Sequence, residues 1–446
     1  MKTYFFVFLA IFIPLQMNAQ VITTIAGIAG VAGNTGDGGP ATLATINEPI
    51  SLTVDVKGNI YIADEINRRI RKVDTSGIIS NFAGTGDTAG FNGDGIAATA
   101  ANLSFPGGIA VDKIGNLYIV QSARIRKVDT SGIITTIAGN GISGFSGDGG
   151  PATAAKIEGY LMLVLDQIGN IYFDDGFRIR MIDTNGIINT IAGNGSGGNS
   201  GDGGPATDAQ IYVGISGMAF DSSGNFYFAD ALYCNIRKVN TSGIISLYAG
   251  TSTMTDCSFY GNGGPVTAAR FHGPGGLVFD RWQNLYVCDG DNSVIRKINS
   301  AGIITTFAGT DTVAGYTGDG GPAINAKLNG PDQIVIDSAG NIYFTDYDNN
   351  CIRKISPGGG VINEIKSVAE SKAIHIYPNP VASDGILHID KVLYPSLYSI
   401  RSVIGGLIQE GSFAAGCNSI QLNIPPGFYL LEIDNKQMRQ IFKIVK

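Results

Sequence analysis

Charge, histidine and tryptophan are scarce in this chain. Only 15% of its 446 residues are charged, against about 25% in an ordinary soluble domain. Of three histidines, His272, His375 and His388, two lie in the C-terminal tail, so a multi-histidine zinc centre lacks ligands. No Gly-x-Ser-x-Gly nucleophile elbow and no Cys-x-x-Cys pair occurs. Lys and Arg number 30 against 37 Asp and Glu, which gives no basic footprint, and no nucleic-acid partner is expected. Proline is limited to 16 residues and glycine follows no triplet period, which excludes collagen. No window carries the 3.6-residue apolar period of a helix. Glycine, by contrast, is abundant: 63 residues, about 14% of the chain and twice the roughly 7% of ordinary usage. With 44% hydrophobic residues the chain is not disordered. A turn-rich, all-β protein of more than one domain remains.

Residues 1–20 read MKTYFFVFLAIFIPLQMNAQ: a positive start at Lys2, a short apolar run from Tyr4 to Leu15, and a small residue, Ala19, before the end. This is the pattern of a secretory signal peptide, assigned to residues 1–19. The run falls short of the about 20 residues of a membrane span, and no transmembrane segment is expected in the mature chain. Export permits disulfides, and Cys234, Cys257, Cys288, Cys351 and Cys417 are an odd set whose pairing the sequence leaves open.

One sentence is written six times. GNIYIAD at Gly58 returns as GNLYIVQ, GNIYFDD, GNFYFAD, QNLYVCD and GNIYFTD, and the shared asparagines Asn59, Asn116, Asn170, Asn225, Asn284 and Asn341 are 57, 54, 55, 59 and 57 residues apart. Each unit holds four strand-like runs, as in GIAVD (108–112), NLYIV (116–120), RIRKV (124–128) and GIITTIA (132–138), bounded by turn formers. Four strands per repeat is the signature of a β-propeller blade, and six blades are expected. The last unit stops after its third strand, and VITTIA (21–26) matches the missing fourth, so the first segment is expected to close the ring. VINEI (361–365) competes for the same place.

These units resemble bacterial NHL-repeat propellers. The segments GDGGPAT (36–42, 147–153 and 201–207), with degenerate copies at 93–99, 261–267 and 318–324, match the long-unit form of that repeat. The tail resembles the C-terminal sorting domain of Bacteroidetes type IX secretion, through Tyr377-Pro378-Asn379-Pro380, the Gly427 to Tyr429 element and the terminal Lys446. That resemblance implies a small β-sandwich handled by the type IX secretion machinery and a location outside the cell or on its outer surface. The expected division is a signal peptide (1–19), a six-bladed propeller (20–366), a linker (367–373) and a sorting domain (374–446).

Within a blade, the turns between strands one and two and between three and four share one face and are short. The opposite face carries the connections between blades, about twenty residues long, and a binding site is expected there. Three recurring features sit on it. The acid ending strand two is Asp64, Asp175, Asp230, Asp289 or Asp346, with Gln121 in blade 2; the arginine of strand three is Arg71, Arg126, Arg180, Arg237, Arg296 or Arg353. Recurrence in every copy points to an architectural ion-pair ladder. Aromatics three residues before the loop Asp or Asn, at Phe91, Phe145, Phe259 and Tyr316, are candidate ligand platforms. From acid position to arginine, blades 2 and 3 are two residues shorter than the others, which should lower that face off-centre.

The reading is a secreted binding module for an extracellular protein, peptide or glycan, with no catalytic residue assigned. The alternative, implied by some NHL-like propellers, is a metal-dependent lyase or lactonase-like hydrolase with an axial carboxylate site. No cofactor is expected, though a divalent metal held by Asp and Asn stays open.

Overall fold

The computed structural model describes residues 20–356, apart from 159–161, 213, 252–255 and 311, and in the tail the strands between 375 and 445. The chain divides into two compact units, Met1–Gly360 and Val361–Lys446. The signal peptide, the linker, VINEI, Pro378, Asn379, Pro380, Gly427 and Lys446 lie outside the described residues.

The first unit is a ring of six antiparallel sheets, numbered here as blades 1 to 6 in chain order. Blade 2 shows the plan: Ile109–Val111 at the axis, then Leu117–Gln121, Arg124–Val128 and Ile133–Ala138 at the rim. Blade 6 takes its rim strand from the start of the chain. Val21–Ala26 pairs antiparallel with Cys351–Ser356, Ile22 opposite Ile355, so the first segment closes the ring. Closure removes the sheet edge that blade 6 would otherwise expose.

The DxxGNxY stretch forms the turn between strands one and two by local hydrogen bonding. In blade 1, Asp55 Oδ1 accepts the Asn59 amide, while Asp55 Oδ2 accepts Asn59 Nδ2 at 2.7 Å and the Tyr61 hydroxyl at 3.3 Å. The same set recurs at Asp112, Asp166, Asp221, Asp280 and Asp337. Blade 5 lacks the turn glycine, and Gln283 takes its left-handed place at φ 65°.

The glycine after each rim strand is required twice over. Gly139 has φ 82°, and a Cβ there would sit 2.2 Å from the Ala123 carbonyl oxygen; Gly27, Gly84, Gly193, Gly250 and Gly309 repeat the situation. From that glycine the connection turns back over the rims. Pro151 of GDGGPAT pairs with Ile187 on the rim of the blade ahead, and a one-turn 3-10 helix, Ala152–Ala154, follows. The hydrophobic core lies between neighbouring blades, as where Ile70 and Ala83 of blade 1 pack with Leu117 and Ile119 of blade 2.

The tail forms two sheets, one of His375–Tyr377, Ile386–Val392 and Gly416–Gln421, the other of Leu407–Phe413, Ser396–Ser402, Phe428–Asn435 and Met438–Val445. Leu387, Ile389, Ile400, Ile420, Leu431 and Ile433 fill the space between them, as a β-sandwich requires. Tyr429 of the sorting motif is buried there, and its hydroxyl donates to the Pro425 carbonyl at 2.8 Å.

Candidate functional site

The long-loop face is organised by six arginines with no exposed surface. A guanidinium buried to that degree needs acceptors on all sides. Arg180 shows the full set: Asp148 at 2.6 Å, Asp175 at 3.1 Å, the Lys156 carbonyl at 3.1 Å and the Ser146 carbonyl at 3.0 Å. Arg71 pairs with Asp37 and Asp64, and Arg353 with Asp319 and Asp346. Arg237 pairs with Asp202 at 2.9 Å and Arg126 with Asp94 at 3.1 Å. Blade 5 has Asn262 where the others have the loop aspartate; there Arg296 donates to the Arg270 and Tyr260 carbonyls and lies 3.7 Å from Asp289.

The aspartate of GDGG is therefore the principal anionic partner of the strand-three arginine, a role the sequence reading did not assign. A signal was present, since the two residues recur 32 to 35 apart in five blades. The strand-two acid shares itself between that arginine and a loop amide: Asp64 also accepts the Asn47 amide, Asp289 that of His272 and Asp346 that of Asn329.

The four aromatics lie flat over the same arginines. Ring centroids of Phe91, Phe145, Phe259 and Tyr316 are 4.8–4.9 Å from the guanidinium carbons of Arg126, Arg180, Arg296 and Arg353. Arg124 and Arg178 stack on Phe91 and Phe145 at 4.1 and 3.7 Å. Each ring thus lies against at least one guanidinium, and Phe91 and Phe145 against two.

Burial raises Asp289 to about 7 and Asp346 to about 6 against an unfolded value of 3.8. From pH 4 to 7 the folded state holds protons that the unfolded chain has lost. The stability from these groups is full below pH 3.8 and is lost as pH rises through 6 to 7. Asp148 and Asp319 are depressed below 3.8 despite opposing burial, by Thr190 with Arg180 and by Thr24 with Arg353, so they act only in stronger acid. Asp289→Asn should flatten the decline between pH 4.5 and 7 in urea-unfolding midpoints. An identical slope in both proteins would refute this assignment.

A cavity of about 530 Å³ opens over blade 2, bordered by the shortened connection Ser122–Ala123. Phe91, Phe105, Gln121 and Arg124 line it together with Glu65 and Glu158 from the neighbouring segments, and Ser104, Ser122 and Ser143 add hydroxyls. Of the four candidate platforms only Phe91 borders it. Phe105 was missed by the sequence reading. It is 49% exposed, carries the Arg68 guanidinium at 4.5 Å, and has φ 45°. The equivalent position before the axial strand is Gly214, Gly273 or Gly330 in blades 4, 5 and 6, and Glu48, also left-handed at φ 52°, in blade 1. A phenylalanine in a left-handed slot costs roughly 1–3 kcal/mol, and such strain concentrates at binding sites.

His272 places Nε2 3.4 Å from Asp291 Oδ2. Among the described residues no group of three or more His, Cys, Asp or Glu is arranged to hold a metal ion. Cys234 and Cys257 form a disulfide that ties blade 4 to the loop after it, and Cys288 and Cys351 are buried thiols.

The teneurin NHL domain family matches residues 14–92, 87–145 and 142–199, and the secretion system C-terminal sorting domain family matches 375–446. Curated relatives include teneurin-1 of Gallus gallus, 31% identical over 286 residues, and teneurin-4 of Mus musculus, 30% identical over 283. The matches cover 56% and 55% of this chain and 10% of each relative, so this chain spans about a tenth of their length. Among solved structures, a protein of unknown function from Bacteroides thetaiotaomicron has a TM-score of 0.56 at 17% identity, and an auxiliary nutrient binding protein from the same organism 0.54 at 18%. Each alignment covers 76% of both chains and establishes the shared fold.

Proposed function

We propose that this NHL-repeat propeller, carried out of the cell by its C-terminal sorting domain, is a binding module whose ligand seats in the cavity over blade 2. Strand direction places both ends of the propeller, Gln20 and Ser356, on the short-turn face. The long loops and their cavity therefore lie on the face free of the chain ends.

The observation that carries the reading is Phe105, held in a strained backbone at the cavity wall. Its ring and that of Phe91 give the cavity an aromatic border; Glu65, Glu158, Gln121, Arg124 and three serines offer donors and acceptors around it. That mixture suits a glycan, whose C–H faces stack while its hydroxyls hydrogen-bond. Polar groups around an aromatic surface also accommodate a peptide.

The test is a screen of glycans and surface proteins against the exported chain, repeated with Phe105→Ala. A retained partner should bind at least about tenfold more weakly to the variant, a loss of about 1.4 kcal/mol. A screen that retains nothing, or a partner indifferent to Phe105→Ala and Arg124→Ala, defeats the assignment.

A further inference from the structure

The long-loop face repeats one arrangement around the ring and breaks it in a single blade. In five blades the residue ending strand two is an aspartate, and each aspartate accepts a backbone amide: Asn47 on Asp64, Glu158 on Asp175, Tyr233 on Asp230, His272 on Asp289 and Asn329 on Asp346. In blades 1, 3, 5 and 6 the same carboxylate lies 3.1–3.7 Å from Nη1 of the strand-three arginine. Blade 2 has Gln121 at that position. Its side chain is only 3% exposed, yet its Oε1 has no hydrogen-bond partner, and neither has Nη1 of Arg126. One change of residue type leaves two buried polar atoms of the same blade unmatched, where the other blades spend a carboxylate.

A second departure uncovers the same spot. In blades 1, 5 and 6 an asparagine three residues after the acid, Asn67, Asn292 or Asn349, folds back and donates to it at 2.8–2.9 Å. The connection of blade 2 is two residues shorter and carries no such asparagine. The cavity opens there, and Gln121 lines it. Blade 3 shares the short connection, but its Asp175 is matched by Arg180 and by the Glu158 amide. A missing cover and an unmatched amide coincide in blade 2 alone. The torsion that orients a glutamine amide is soft, so the group can turn toward the cavity at little cost. A carboxamide presents an acceptor and a donor side by side. Two neighbouring hydroxyls on a sugar ring match it, one donating to Oε1 and the other accepting from Nε2. The amide also sets the charge of its ligand. Glu65 and Glu158 line the cavity and Arg124 offsets only one of them, so the lining stays negative on balance and repels an anion. A cation would be held better by the aspartate of the other five blades, a charge that blade 2 has given up.

We propose that Gln121 is the specificity-determining residue of the cavity over blade 2 and reads a vicinal pair of hydroxyls on an uncharged sugar. The inference rests on that cavity being the ligand site, and it narrows the ligand to a neutral glycan. Phe105 gives the sugar an aromatic border, and Gln121 fixes which edge of the ring faces inward.

The test is isothermal titration calorimetry on the full exported chain, with neutral tetrasaccharides of glucose, mannose and galactose as probes. At least one should bind, and Gln121→Asp should weaken it by at least about tenfold, because a site built around an amide loses both hydrogen bonds at once. That variant restores the residue of the other five blades and gives Arg126 a carboxylate besides Asp94, so the melting temperature should hold or rise while binding falls. A purely structural role would move the melting temperature and leave binding as it was. Should Gln121→Asp not fold, Gln121→Glu, equal in length and without the amide donor, is the substitute with the same expectation for binding. Tetragalacturonate and tetralysine, one anionic and one cationic, should each bind at least about tenfold more weakly than the best neutral probe. Preference for either charged probe, no binding of any neutral tetrasaccharide, or binding indifferent to Gln121→Asp overturns the proposal. The two assignments fail separately: a partner that answers to Phe105→Ala but not to Gln121→Asp keeps the cavity and removes the role of Gln121, whereas one that answers to neither removes the cavity as well.

Discussion

Arg180→Ala should lower the unfolding free energy of the propeller by about 3–5 kcal/mol, the cost of removing one partner from a buried ion pair. Its side chain and that of Asp175 are fully enclosed. Truncation strands the Asp175 carboxylate without its counter-charge, leaves the Lys156 and Ser146 carbonyls without their side-chain donor, and removes the surface on which Phe145 rests. Lysine should restore little, since a single ammonium on a flexible stem cannot satisfy acceptors spread around a planar fork. Blade 2 supplies the internal control. Arg126 has one carboxylate partner, Asp94, whose side chain is 43% exposed and can rehydrate, and its Nε and Nη1 already lack hydrogen-bond partners. Arg126→Ala should therefore cost clearly less than Arg180→Ala in urea-unfolding midpoints. Equal losses would mean that the strand-two acid contributes nothing. An unchanged midpoint for Arg180→Ala with loss of ligand would make the arginines a binding device rather than a frame.

The architecture was legible because its signal is repeated. Strand runs, the turn asparagines and the glycines recur at a fixed period, so six weak local patterns reinforce one another. The closing strand was readable for the same reason: VITTIA is a fourth strand without its first three. What escaped were relations between copies of different elements. GDGG reads locally as a turn leading into a short helical turn, which it is, as Pro151 and Ala152–Ala154 show. Its aspartate meets the arginine only because the connection folds back over the rim, and nothing within the motif says so. The aromatics were recognised by type, but which ring face would be covered depends on the arginine beneath. Phe105 was visible as a departure from a glycine slot, yet its meaning requires knowing that the slot is left-handed. The shortened connection of blade 2 was readable from loop length; the two glutamates at the edge of the cavity beside it come from different connections and converge only in the fold.

Deleting residues 20–26 should cost the propeller its cooperative fold, a loss comparable with the whole stability of a domain, about 5–15 kcal/mol. The segment supplies a complete strand. Ile22 and Ala26 have no exposed surface and belong to different hydrophobic layers, between blades 5 and 6 and between blades 6 and 1. Its backbone also anchors the preceding connection: the Ile22 amide donates to the Gly321 carbonyl, the Ala323 amide to the Gln20 carbonyl, and the Thr24 amide to Asp319, which holds Arg353. Without the strand, Cys351–Ser356 becomes an exposed edge and the truncated chain should associate. The decisive comparison moves the strand rather than removing it. In blade 2 four residues, Asp129 to Gly132, join the third and rim strands, and Ile134 lies opposite Val128 as Ile22 lies opposite Ile355. A chain beginning at Ile28, with DTSG and then VITTIAG inserted after Ile355, builds blade 6 as one continuous unit in the same register. It should regain a single sharp thermal transition by circular dichroism and elute as the parent does. If the truncated chain melts like the parent, or the rearranged chain stays unfolded, closure by the first strand is not what holds the ring.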